Sequence, residues 1–218
     1  MTDPIETLGV RNARKLLARE FKIARLHRDA LEKARLYAGR TGLKLHLGCA
    51  DNIKPGWVNI DLSADADLRL DLREALPFAD GSCTIIYSEH FFEHVDYPAG
   101  AAALLAECLR VLAPGGVFSA GVPDTEWPLL EYARVRQEGY FATAKRIFHP
   151  AWCETDMDHI NYHFRQDGEH LYAYDEITLC RVLTGAGFER ARRRAFDPDL
   201  DLRERELGTL YVEAYKPA

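Results

Sequence analysis

The chain has 218 residues, of which 47% are hydrophobic and 28% charged, with a net charge of −6 and a sequence pI near 5.8. That composition suits one globular domain, or one domain with a terminal extension, able to bury a sizeable core. The acidic balance argues against nucleic acid as the main partner, and no run approaches the ~18 apolar residues of a membrane span. Residues 1–6 lack the basic-then-apolar pattern of a secretory signal. The cysteines at 49, 83, 108, 153 and 180 are odd in number and scattered, with no C-x-x-C pair. They read as free thiols in a reducing cytoplasm rather than as a disulfide framework or a zinc finger.

In chain order, residues 8–38 predict one long helix, with Leu17, Phe21, Ala24 and Leu31 as its apolar stripe and Gly39 and Gly42 past its end. Between Arg11 and Arg35 nine Lys/Arg stand against three Asp/Glu. Two readings stay open for this helix. It packs or forms a homodimer through the stripe with its basic face in solvent, or it docks an anionic partner.

From residue 43 the pattern changes to strands and turns. Residues 43–47 alternate into Gly48, 57–61 form a second short strand, and 68–71 a possible third. Residues 83–87 and 116–122 are β-rich and flank a helix over 99–112, which stops at Pro114-Gly115-Gly116. A helix over 174–186 then leads to two strands, 188–196 and 208–215, close enough for an antiparallel hairpin. Strands alternating with helices indicate an α/β fold with a mostly parallel sheet. Residues 123–173, rich in aromatics, His and Asp, read as an insertion on the substrate side. The organisation expected is thus an N-terminal helical extension over 1–42 and an α/β domain over 43–218.

Gly48 directly follows a buried strand, where a missing Cβ lets backbone approach a ligand. The dinucleotide pattern G-x-G-x-x-G fails here, because Ala50 and Ile53 replace its second and third glycines. The acid ending the second strand, Asp61, comes 13 positions after Gly48, where that pattern expects about 20. A pyrophosphate ligand is disfavoured, and one with ribose hydroxyls but no phosphate fits better. Asp61, followed by Leu62, could accept both hydroxyls of a ribose. Asp71, beside Leu72, could accept from an exocyclic amine.

The runs LKLHLGCADNIKPGWVNIDL, DLREALPFADGSCTIIYSEHFFEHV and LLAECLRVLAPGGVFSAGVPD resemble the class I S-adenosylmethionine-dependent methyltransferases. More narrowly they resemble a small bacterial group with an LGCG…GWVNID opening, often found with carbohydrate and cell-envelope biosynthesis. The resemblance implies a Rossmann-like methyltransferase sheet, mostly parallel, with a C-terminal antiparallel hairpin and helices on both faces. It implies S-adenosylmethionine as cofactor: Gly48, Cys49 and Ala50 against its methionine part, Asp61 and Leu62 at the ribose, Asp71 and Leu72 at the adenine. Ser88 and Glu89 would line its amino-acid or methyl end. Two departures are Ala50, where the family has its second glycine, and a connection between the first two strands too short for the usual crossover helix.

His90-Phe91-Phe92-Glu93-His94 also matches H-x-x-E-H, which on a helix could hold zinc with Glu93 as base and Glu169 or Glu176 as third ligand. A zinc metallopeptidase is therefore an alternative, as is an S-adenosylmethionine-binding protein without transfer activity. No metal is expected under the methyltransferase reading, although Asp156, Asp158, His159 and His163 lie close in sequence. His90 and His163 are the candidate bases for methylating an O or N of a small molecule or saccharide.

Overall fold

The computed structural model describes residues 7–135 and 139–218; residues 1–6, read above for a targeting signal, lie outside them. Helix α1 spans Leu8–Ala34 and ends in a 3-10 turn, Arg35–Tyr37. The Thr7 hydroxyl caps it, accepting from the Val10 amide at 3.3 Å. Its apolar stripe is not its packing face. Leu17 and Phe21 are 58% and 69% exposed and Ala24 is exposed, whereas Ile23, Ala30 and Ala34 are buried. Small residues let the helix lie close to the domain. Two polar ties fix it there: the Asp71 amide donates to His27 Nδ1 at 3.1 Å, and Arg73 bridges Glu20 and Asp71.

The strands are β1 (Leu43–Leu47), β2 (Val58–Ile60), β3 (Cys83–Glu89), β4 (Leu112–Pro123), β5 (Glu189–Arg193) and β6 (Thr209–Tyr215). They form one sheet in the order β2-β1-β3-β4-β6-β5. The first four run parallel, and β6 pairs antiparallel with both β4 and β5. The expected hairpin is present. The strand expected over 68–71 is a single bridge between Leu68 and Ile60, so Asp71 ends no strand. Its flanks are tied elsewhere, the Asp67 carboxylate to the Asn59 amide and the Asp71 amide to His27, and leave no ladder to extend. Residues 48–57 pass from β1 to β2 without a helix, as the short spacing required.

The two faces of the sheet are dressed differently. Leu45, Leu47, Val58, Ile60, Ile86, Phe118, Ala120, Val122, Leu210, Val212 and Ala214 share one continuous core with helices α2 (Ala99–Val111) and α6 (Glu176–Gly185). Arg110 of α2 donates to the Leu76 and Phe78 carbonyls and so straps down the connection into β3. The alternate side chains, His46, Tyr87, Ser119 and Tyr211, are buried under segments 51–57 and 194–205 instead. There the Arg194 guanidinium holds both oxygens of Asp201 at 2.6 Å and donates to Ser119 at 2.9 Å. Tyr87 donates to the same carboxylate at 3.0 Å. Helices α3 (Glu126–Tyr132), α4 (Tyr140–Thr143, continued as a π turn to Phe148) and α5 (Asp156–Arg165) follow β4. A capping box of Thr155 and Asp158 starts α5, which spends the Asp158 carboxylate locally.

Two outcomes are expected of the polar face. Asp201 is fully buried, so Arg194→Ala, which strands its charge, lowers unfolding free energy by about 3–5 kcal/mol in denaturant titrations. Burial, then the Lys54 cation, lowers the His46 pKa to about 4. A depressed histidine contributes stability above the unfolded value near 6.5, and that contribution is lost as pH falls toward 4. Relative to wild type, His46→Leu therefore flattens the acid loss between those pH values by about 3 kcal/mol.

Candidate functional site

The carboxyl ends of β1, β2 and β3 build a turn with no slack. The Gly48 and Cys49 amides both donate to the Ile60 carbonyl, at 2.8 and 3.3 Å. Gly48 has φ +67°, and a Cβ there would lie 2.3 Å from Phe91 Cγ. Glycine is thus required twice, for the left-handed backbone and for the ring lying on it. Ala50 also takes a left-handed conformation, φ +45°, which for a residue with a Cβ is strained. The strain is held by a clamp. Asp61 accepts from the Ala50 amide at 3.2 Å and the Ser63 amide at 2.7 Å, while the Ser63 hydroxyl donates to the Ala50 carbonyl at 2.8 Å. An ionised carboxylate has about four acceptor sites, so Asp61 keeps capacity for a diol. Ser63 was not singled out from the sequence; its position two residues after an acid ending a strand is an Asx-turn signal. Cys49 is buried, and burial first and Asp61 second push its thiol up to about 12.

The other expected cofactor residues divide. Ser88 is buried at the end of β3, in register with Leu47 and Ala120, and its hydroxyl has no partner. Leu62 gives its carbonyl to Arg69, and Leu72 packs against the core. Burial would raise Asp71, but the Arg73 fork, at 2.7–3.1 Å, outweighs it and holds the carboxyl below its usual value. That carboxylate anchors α1 through Arg73. Glu89 turns to the polar face, accepting from Tyr211 at 3.1 Å and the Leu202 amide at 3.3 Å, and burial raises its pKa.

One step beyond Glu89 the chain leaves the sheet with His90 at φ +53°. Phe91 lies on the Gly48 turn, while His90 lines a cavity of about 450 Å³. Consecutive residues thereby join the Gly48 turn to the cavity. Its walls include Trp127, Tyr140, Phe148, His149, Tyr162, His163, His170 and Arg205. The Trp127 Nε1 and His163 Nε2 atoms are buried there without partners. Burial, as the first cause, lowers both His90 and His163 to about 3, so each is a neutral imidazole near pH 7. The structure brings these two candidate bases to one cavity.

The H-x-x-E-H segment is not a helix turn of the metallopeptidase kind: Phe92–His94 is a 3-10 turn. Glu93 is buried with both carboxylate oxygens unpartnered, and burial raises its pKa to about 8. Glu169, expected as a third ligand, is exposed and offers its carbonyl to His94 instead. The cluster of Asp156, Asp158, His159 and His163 is also taken apart. Asp156 is exposed, Asp158 caps α5, and His159 turns to His149, their Nδ1 atoms 2.9 Å apart.

The profile of a family described as "Methyltransferase domain" matches residues 45–120, which run from β1 through the Gly48 turn to β4. That stretch is similar to a methyltransferase domain. Solved structures agree on the fold. A chain in the complex between the Haloferax volcanii Trm112 methyltransferase activator and a methyltransferase has 18% identity and a TM-score of 0.52, over 94% of this chain and 93% of that one. A S-adenosylmethionine-dependent methyltransferase from Methanosarcina mazei has 17% identity and a TM-score of 0.52, over 84% and 96%. One from Archaeoglobus fulgidus has 16% identity and a TM-score of 0.50, over 91% and 94%. No curated protein matches in sequence. The residues present fit S-adenosylmethionine: a glycine cradle at Gly48, free acceptor capacity on Asp61, and a buried orphan hydroxyl on Ser88. Among the described residues no helix is long and apolar enough to cross a membrane.

Gly48→Ala forces a Cβ into Phe91 and an L residue into a left-handed backbone. Denaturant titration is expected to show a loss of at least about 2 kcal/mol, part of it recovered when Phe91→Ala is added.

Proposed function

We propose that the methyltransferase acts on an oxygen or nitrogen of a small molecule or saccharide bound in the His90–His163 cavity. The observation that carries this reading is the adjacency of Phe91, on the cofactor turn, to His90, in the cavity wall. S-adenosylmethionine supplies a methyl group already activated by its sulfonium, so this chain's task is to hold the acceptor in line and, for a hydroxyl, to take its proton. In this reading Asp61 binds the ribose, the Gly48–Ala50 turn meets the methionine part and Ser88 donates or accepts beside it. Leu62 and Leu72 supply apolar surface for the base. His90 and His163, neutral near pH 7, are the groups able to accept a proton. The aromatic walls at Trp127, Tyr140 and Tyr162 suit a ring-shaped acceptor. The likeness of the opening LGCA…GWVNID to the group associated with carbohydrate biosynthesis supports a saccharide.

Calorimetry with S-adenosylhomocysteine tests the cofactor assignment. Removing a charged acceptor of two hydroxyl bonds, in Asp61→Ala, is expected to weaken binding at least about 100-fold. A screen of sugars, hydroxy acids and amines with methyl-labelled cofactor tests the acceptor class. On the acceptor so found, loss of the base costs about 10²–10⁴ in kcat. Full turnover in both His90→Ala and His163→Ala would remove these residues from the base role.

A further inference from the structure

Glu93 is out of place for a structural residue. It is fully buried, which makes its charged form costly, and neither oxygen has a hydrogen-bond partner. Three imidazoles face its Oε1: His90 Nδ1 at 3.9 Å, His94 Nε2 at 3.9 Å and His170 Nε2 at 4.0 Å. These separations exceed a hydrogen bond. The other ring nitrogen of each histidine is already committed. His94 Nδ1 donates to the Glu169 carbonyl at 2.9 Å, and His170 Nδ1 to the His163 carbonyl at 2.8 Å. His90 Nε2 lies 2.8 Å from the Thr209 hydroxyl, whose own proton goes to the Arg205 carbonyl, so His90 is the donor. In a neutral imidazole the nitrogen opposite a donating N–H carries a lone pair. Three lone pairs and a carboxylate therefore converge, with no proton among the histidines left to satisfy them.

We propose that Glu93, His94 and His170 bind one divalent first-row transition-metal ion. Their ligand atoms lie within 4.8 Å of one another. Tetrahedral ligands at about 2.0–2.1 Å from an ion sit roughly 3.3 Å apart, so closing the cluster requires shifts of up to roughly 0.8 Å per ligand. The donor set, imidazole nitrogens plus one carboxylate, suits zinc, manganese or iron(II) and is too rich in nitrogen for magnesium or calcium. Both histidines also have the outer hydrogen bond to a carbonyl that fixes a metal-binding ring and its tautomer. The backbone supports the arrangement, because the Leu171 and Tyr172 amides both donate to the Glu93 carbonyl and tie the two ligand segments together. His90 and His170 line the acceptor cavity, so an acceptor oxygen could take an open position on the ion and be made more acidic. That role rests on the cavity being the acceptor site; the binding itself does not.

The second cluster, His149, Cys153 and His159, is the competing location. It differs in that the His149 and His159 Nδ1 atoms already share a hydrogen bond at 2.9 Å, and it contains a thiol. The test uses full-length protein stripped with a chelator, dialysed, and titrated with Co²⁺ followed by visible absorption and with Zn²⁺ by calorimetry. One equivalent is expected, with ligand-field bands and no thiolate-to-cobalt charge transfer. Glu93→Gln and His170→Ala, checked for folding by circular dichroism, should each weaken binding at least 100-fold, while His149→Ala leaves it unchanged. Absence of saturable binding overturns the proposal. So does a charge-transfer band in the wild-type protein, or binding unaltered in both Glu93→Gln and His170→Ala. S-adenosylhomocysteine titration of the stripped protein separates the two readings: cofactor binding without any metal binding removes the ion and leaves the methyltransferase.

Discussion

The contact of the Phe91 ring with the Gly48 backbone sets the geometry on which both halves of the site depend. Strand β1 must end in a left-handed turn because the chain leaving β3 lies where a side chain would stand. That fixes the turn from above, while the Ile60 carbonyl and the Asp61 carboxylate fix it from the side. It also fixes His90 in the opposite direction, with a positive φ that points it to the cavity. Ligands in open α/β sheets bind beyond the carboxyl ends of the strands. Here three of those ends are locked together by one glycine, one ring and one carboxylate.

The uneven dressing of the sheet explains where charge can be buried. Helices α2 and α6 cover an apolar face by hydrophobic packing, with Arg110 and Glu107 of α2 bonding to the connection before β3. The other face lacks a crossover helix between β1 and β2, and the segments that cover it bring a buried Arg194–Asp201 pair and a neutral His46. Coverage by irregular chain needs partners for backbone and side-chain polar groups; Tyr87, Ser119, Glu89 and Tyr211 supply several, while His46 Nδ1 and Glu89 Oε2 stay without a hydrogen-bond partner. Glu89 belongs to that network. Its position at the end of β3 is the one the family resemblance gives to the cofactor, yet its side chain alternates to the far face.

Much of this was legible in the residues. Alternation in 43–47, the punctuation by Gly48 and Pro114-Gly115-Gly116, and the closing hairpin all follow from local patterns, and the strands and α2 stand where those patterns put them. Local periodicity failed where partners are distant in sequence. Leu17 and Phe21 look like a packing stripe, but the tertiary contacts of α1 go through Ile23, Ala30 and Ala34. The run ending at Asp71 looks like a strand, but its acid is spent on Arg73 and Glu20. Asp201 reads as one acid in an acidic connection until Arg194 is seen to reach it. The convergence on Glu93 needed His170, a residue 77 positions on, and no spacing rule joins the two.

The clamp of Asp61 on Ala50 and Ser63 has a thermodynamic consequence for recognition. Its bonds exist before any ligand arrives, so the conformational entropy of a strained, left-handed turn is lost during folding and not at association. A rigid cleft of this kind captures its ligand without first ordering a loop. Association is then set by diffusion and desolvation, and structural change on binding is left to whatever moves over the cavity.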